Sequence, residues 1–162
     1  MKRAVLFLVV FAMVGSLWAA DPIIGTWKLN VEESKFSPIL KDIQPPPKER
    51  TEVYREIEGD LIEFSSTTIA QDGSSSSGRY TWPRQGGIAE RHLPSPVPQR
   101  ILSWVQVWIG PGNWYVTTLR FGRQSSVRHK VISEDGKTMR QTLKGFDPEG
   151  KPFEELEVFE RQ

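Results

Sequence analysis

The stretch Ile24-Gly25-Thr26-Trp27-Lys28-Leu29-Asn30 decides how this chain is read. It opens a segment, Ile24 to Val31, whose pattern predicts a first β-strand. An indole at the start of a first strand covers enough apolar area to plug one end of a barrel. A glycine two positions earlier allows a bend or a close backbone approach. Gly25 and Trp27 are therefore read as structural residues.

Upstream, Lys2 and Arg3 precede an unbroken apolar run from Ala4 to Val14, then Gly15-Ser16 and Leu17-Trp18-Ala19-Ala20. This is the layout of a cleavable signal peptide over residues 1–20, and the run is too short to span a bilayer as a helix. The expected mature chain starts at Ala20 or Asp21 and is periplasmic or secreted, with no membrane span. An uncleaved anchor is the alternative. Residues 21–162 suffice for one domain with a substantial core. Without Lys2 and Arg3, 19 basic residues stand against 20 acidic ones, interspersed. That mixture carries no nucleic-acid footprint. The chain has no cysteine, which excludes thiol chemistry, disulfides and cysteine-based metal sites.

Downstream the pattern has period two almost throughout. Strands are expected at 51–57, 61–69, 78–82, 101–109, 114–121, 126–132, 138–144 and 153–159. Glu32 to Phe36 can form one helical turn, and Pro45-Pro46-Pro47 reads as an extended connector. Gly59-Asp60, Asp72-Gly73, Asp135-Gly136 and Asp147-Pro148-Glu149-Gly150 supply hairpin chemistry. The prediction is an all-β, antiparallel up-and-down barrel of eight to nine strands, favoured over a sandwich because closure removes exposed edges. One segment, Gln85 to Gln99, breaks the meander. It holds Gly86-Gly87 and then Pro94, Pro96 and Pro98, and reads as a long irregular loop.

The Gly-x-Trp strand resembles the lipocalin and fatty-acid-binding superfamily. Ser34-Lys35-Phe36-Ser37, the run Ser133-Glu134-Asp135-Gly136-Lys137-Thr138-Met139, then Lys144-Gly145 and Gly150-Lys151-Pro152 sharpen it. Together these pieces resemble a group of exported bacterial lipocalin-like proteins, a calycin-type barrel family. The resemblance implies a lipocalin-like barrel over residues 21–162. It brings no catalytic residues to carry over.

The candidate site is the aromatic strand pair in the middle. Along 101–109, one face carries Leu102, Trp104, Gln106 and Trp108; the other carries Ile101, Ser103, Val105, Val107 and Ile109. Two apolar faces suggest a ligand-lined lumen, a covering segment or a partner surface, where an ordinary barrel strand needs one. Ordinary core packing beneath the proline loop is the competing reading. Trp114, Tyr115 and Phe121 extend the aromatic set. Arg120, if inward, suits a carboxylate. These seven residues, Trp104, Gln106, Trp108, Trp114, Tyr115, Arg120 and Phe121, form the expected ligand site.

Other chemistry finds little support. His92 and His129 lie on separate elements without metal-ligand spacing, and His129 reads as a barrel-wall residue that can face inward. Glu154, Glu155 and Glu157 read as solvated outer-face charges. No cofactor is indicated. The leading function is non-enzymatic binding of a small apolar or amphipathic molecule. The alternatives are an envelope protein-interaction module and, behind it, a barrel-type enzyme using His129.

Overall fold

A computed structural model describes residues 21–92 and 102–162. The expected leader, residues 1–20, and Pro94, Pro96 and Pro98 lie outside the described residues. Eleven strands follow in order: β1 (Gly25–Lys35), β2 (Glu49–Ile57), β3 (Leu61–Ile69), β4 (Ser75–Pro83), β5 (Gly86–Ile88), β6 (Glu90–Arg91), β7 (Leu102–Gly110), β8 (Asn113–Arg120), β9 (Arg123–Ile132), β10 (Thr138–Phe146) and β11 (Pro152–Arg161). All are antiparallel, and no helix occurs among the described residues. They form one sheet in the order β5-β7-β8-β9-β10-β11-β1-β2-β3-β4-β6. The first and last strands of the chain pair with each other, which curls the meander into a nearly closed barrel.

The count of eleven exceeds the expected eight to nine because Gly86–Arg91 is not irregular. Gly86 and Gly87 take φ values of +99° and +145°. A side chain at Gly86 would lie 2.5 Å from the Gln106 carbonyl oxygen. Only glycine lets this backbone approach β7 so closely. The short β5 pairs with β7, and β6 pairs with β4. The segment thus crosses between the two edges the sheet would otherwise expose. Tyr80 of β4 and Trp104 of β7 also meet there, with ring centroids 4.2 Å apart.

The helical turn expected at Glu32–Phe36 is absent: β1 continues through Lys35 and ends before Phe36. The ladder to β11 shifts register between Asn30 and Lys35. Ser34 supports this bulge: its Oγ donates to the Asn30 carbonyl (2.6 Å) and accepts from the Val158 N–H (3.0 Å).

One end of the barrel is packed solid. Ile23, Trp27, Trp114, Met139 and Phe159 are fully buried there or nearly so. Trp27 donates its indole N–H to the Ile23 carbonyl at 2.8 Å. The Arg161 guanidinium lies over its ring, 4.3 Å from the centroid. Arg161 also donates to the carbonyls of Gly136 (2.6 Å), Ile24 (2.8 Å) and Pro22. It therefore stitches the chain entry to the β9–β10 turn and the last strand. Gly25 has φ +143°, and a Cβ there would meet Arg161 Nη1 at 2.5 Å. The Gly-x-Trp spacing has a local cause: the glycine makes room for the cation that caps the indole.

Candidate functional site

The other half of the barrel is open. A cavity of about 840 Å³ lies inside it. Phe64, Trp82, Trp104, Val116, Leu143 and Phe153 supply its apolar wall. This volume falls in the range of small-molecule pockets. A shallower depression of about 560 Å³ lies between the ends of β9, β10 and β11. It shares Gln124, Ser125, Ser126, Phe146 and Phe153 with the main cavity and so continues its mouth.

The connector between β1 and β2 helps to line the cavity. Leu40, Ile43 and Gln44 contribute to its wall. Backbone bonds from Ile43 and Gln44 to the Leu40 carbonyl fold this segment into turns. The Ser37 N–H donates to the Glu155 carboxylate at 3.1 Å, tying the connector to β11. In the sequence this stretch reads only as a proline-rich link. Leu40 and Ile43, two of its apolar residues, are the available signal.

The seven expected site residues separate into three groups. Trp104, Gln106 and Arg120 line the cavity, Gln106 buried and Arg120 at the exposed mouth. Trp108 and Trp114 share their inward face but lie toward the packed end, which corrects their assignment to the ligand wall. Trp108 packs against the core and donates its indole N–H to Asp21 Oδ2 at 3.1 Å. Trp114 is buried and meets Trp82 edge-on, 6.4 Å between centroids. Alternation reports the face of a strand, not the depth along it. Tyr115 and Phe121 are corrected outright. Tyr115 is on the outer face, stacked on His129 at 4.2 Å with the rings 6° apart. Phe121 is 70% exposed. With Gly122 it forms the two-residue β8–β9 turn, both at positive φ.

His129 therefore faces outward, not inward, with Nε2 2.8 Å from Asn113 Oδ1. His92 is elsewhere, its Nε2 2.6 Å from Thr81 Oγ1 at the β4–β6 pairing. Of the three glutamates read as solvated on β11, Glu154 is exposed and the other two depart from expectation. Glu155 and Glu157 are 5% and 2% exposed, not solvated. They alternate with Leu156 and Val158 as read, but their face is the interior one, shared with Phe159.

The interior carries a polar network that patterning did not reveal. Tyr54 donates its hydroxyl to Glu52 Oε2 at 2.5 Å, and Lys130 Nζ donates to the Tyr54 oxygen. Gln141 Nε2 donates to the same Glu52 oxygen at 2.8 Å, and Lys130 Nζ lies 3.7 Å from it. Beside this, Arg50 pairs with Glu157 Oε1, and Arg128 lies 3.7 Å from Glu157 Oε2. Glu52, Tyr54, Lys130, Gln141 and Glu157 are all buried. Buried charges persist only when paired. Glu52, Lys130 and Glu157 each have an opposite charge beside them, although Glu157 Oε2 and Gln141 Oε1 make no hydrogen bond among the described residues.

Burial pushes the Glu52 carboxyl up, but Lys130, Arg128, the Tyr54 hydroxyl and Arg50 together outweigh it and hold it below its ordinary value. Burial, and then the Glu52 carboxylate, push the Tyr54 phenol well above its ordinary value. Burial lowers Lys130 to about 8, against the opposing pull of Glu52. Arg128 and Lys130 also line the cavity, as do Arg120 and Arg123 at its mouth. Among the described lining residues the single carboxylate is Asp147. Arg128 and Lys130 are balanced behind the wall by Glu157 and Glu52, so the positive charge of the flank comes from Arg120 and Arg123 at the mouth. The site is therefore an apolar pocket with a positive polar flank. It can hold an elongated apolar body and attract an anionic group.

No protein-family model matches the sequence, and no curated protein matches it. Solved structures do share the fold. Fatty-acid-binding protein 1 of Echinococcus granulosus superposes with a TM-score of 0.58 at 10% identity, over 88% of this chain and 98% of that one. The ileal bile acid-binding protein of zebrafish, solved with cholic acid, gives 0.53 at 10% identity, over 87% and 99%. The fluorescent protein UnaG gives 0.58 at 14% identity, over 86% and 96%. The barrel thus has the calycin architecture of fatty-acid-binding proteins. At these identities the likeness concerns the fold.

Proposed function

We propose that this chain is an exported binding protein that holds a small apolar or amphipathic molecule in its barrel, anionic group toward the cations. The observation that carries the reading is the cavity of about 840 Å³, aromatic and aliphatic on one side, with Gln106, Arg120, Arg128 and Lys130 on the other. Two solved structures of the same architecture are named for binding fatty acids and bile acids, which is the same chemical class. The described lining residues include no histidine to act as the base for a hydroxyl nucleophile.

Titration of fatty acids, retinoid-like and haem-like compounds, followed by tryptophan fluorescence, tests this. Native mass spectrometry of protein purified from its host should detect a retained molecule. Trp104→Ala should weaken binding by about 1–3 kcal/mol through lost apolar contact. Trp108→Ala should instead lower the melting temperature, because its indole packs on the core and bonds Asp21. Identical binding curves for wild type and Trp104→Ala would remove Trp104 from the site.

Export rests on the Lys2-Arg3 start and the Ala4–Val14 run. N-terminal sequencing of the protein recovered outside the cytoplasm should begin at Ala20 or Asp21. An intact leader on secreted material would overturn the cleavage.

A second reading has one observation in its favour. Val107, Ile109, Tyr115 and Val131 are exposed together on the outer face of β7, β8 and β9. A protein partner in the envelope could use that face. Failure of every small molecule to bind, with a co-purifying protein displaced by Val107→Lys, would favour it.

A further inference from the structure

The geometry points to Lys130 as a nucleophilic amine for aldehydes: an apolar aldehyde held in the barrel condenses with Lys130 Nζ to an imine, with Glu52 as its counter-ion. This rests on the barrel being a ligand cavity and adds the class of ligand that reacts there.

Lys130 is on the cavity wall and is itself buried. Its Nζ lies 5.0 Å from the Tyr54 ring centroid and 5.2 Å from that of Phe64, which also lines the cavity. An amine in such surroundings is desolvated, and that favours its neutral, nucleophilic form. The charged and titratable groups around it come from several strands. Glu52, Tyr54 and Arg50 lie on β2, Arg128 on its own strand, and Glu157 on β11, with neutral Gln141 on β10. Their resultant leaves Lys130 at about 8, so its neutral fraction near pH 7 is on the order of a hundredfold above that of an ordinary lysine.

The step balances without a further reactant. A neutral amine still has an N–H to donate to Tyr54 and keeps a lone pair for the cavity. The lone pair attacks the carbonyl carbon, forming a C–N bond as the C=O π pair moves to oxygen. The proton on nitrogen transfers to that oxygen, giving a carbinolamine. Its hydroxyl takes the remaining proton on nitrogen and leaves as water as the nitrogen lone pair forms the C=N bond. The imine nitrogen, when protonated, stays beside the Glu52 carboxylate, 3.7 Å from Nζ before reaction. The cations around Glu52 hold that carboxyl ionised. Exposed lysines such as Lys28, Lys41 and Lys144 have none of this desolvation.

The test uses the wild-type protein. Decanal is added near neutral pH, any imine is reduced with cyanoborohydride, and peptides are mapped by mass spectrometry. Decanol, which cannot form an imine, is titrated in parallel by tryptophan fluorescence. The expected result is a reduced alkyl group on Lys130, on the order of tenfold faster than on any exposed lysine once lower intrinsic nucleophilicity is allowed for. Decanol should suppress labelling of Lys130 and not that of Lys28 or Lys144, and the rate at Lys130 should rise with pH through about 8. If decanol binds but adducts spread over exposed lysines with Lys130 unmodified, the inference fails and the cavity reading stands. If decanol does not bind and Lys130 is unmodified, both fail. Lys130→Arg should abolish the dominant adduct; should that variant not fold, the wild-type peptide map decides.

Discussion

Replacing Trp27 with alanine is expected to destabilise the protein by about 3–5 kcal/mol. The indole is 0% exposed and sits among Ile23, Trp114, Met139 and Phe159 at the packed end. Its removal opens a cavity in a close-packed region that cannot collapse easily, because four strands converge on it. It also takes away the ring beneath Arg161 and leaves the Ile23 carbonyl without its indole donor. Arg161 bonds three backbone carbonyls across the chain entry, so its loosening should spread to β1 and β11. Thermal melting should register the loss before any binding defect is measured. A melting temperature close to that of the wild type would mean that Trp27 does not plug the barrel.

Glu52→Gln should cost a comparable amount, about 3–5 kcal/mol near neutral pH, for an electrostatic reason. Glu52 is the carboxylate against which buried Lys130 is balanced, and it accepts from Tyr54 and Gln141. Without it a buried ammonium keeps only a neutral partner. The pH dependence distinguishes this from a packing defect. The folded-state pKa of Glu52 lies below its ordinary 4.5, so its contribution is present above 4.5 and is lost as pH falls through the folded value. The variant should lack that share of acid sensitivity. At the alkaline side the logic reverses. Lys130 sheds its proton at about 8, so the penalty of the variant should shrink as pH rises through that value. Chemical denaturation of both proteins across acid, neutral and alkaline pH measures each limb. A penalty independent of pH would show that charge is not its origin.

The strand pattern was legible because a half-buried strand imposes period two on its own residues. The expected bounds of Leu61–Ile69 coincide with those of β3, and most other strands differ by a few residues at their ends. The misreadings share one cause. Glu32–Phe36 looked helical because a bulge interrupts alternation just as a turn does. Gly86–Arg91 looked irregular because glycines signal a loop unless a partner strand lies within reach. In both cases the deciding contact comes from a distant part of the chain.

The candidate site was legible in part for the same reason. Trp104, Gln106 and Arg120 line the cavity because alternation along β7 and β8 carries over into three dimensions. In the sequence Glu155 and Glu157 read as outer-face charges, since a carboxylate in isolation belongs in water. Their partners, Ser37 and Arg50 with Arg128, lie more than a hundred residues away or on another strand of the barrel. Lys130 carried no signal of its own for the same reason.

By itself, then, the sequence determined an all-β antiparallel meander, the plug at Trp27 and the absence of thiol chemistry, because local periodicity and residue chemistry are properties of neighbours along the chain. Only the tertiary structure decided which end of the barrel is filled, how deep each inward residue lies, and which charges face one another inside. Those depend on closure of β1 against β11 and on register between strands, which bring together Glu52, Lys130 and Glu157 from three separate strands.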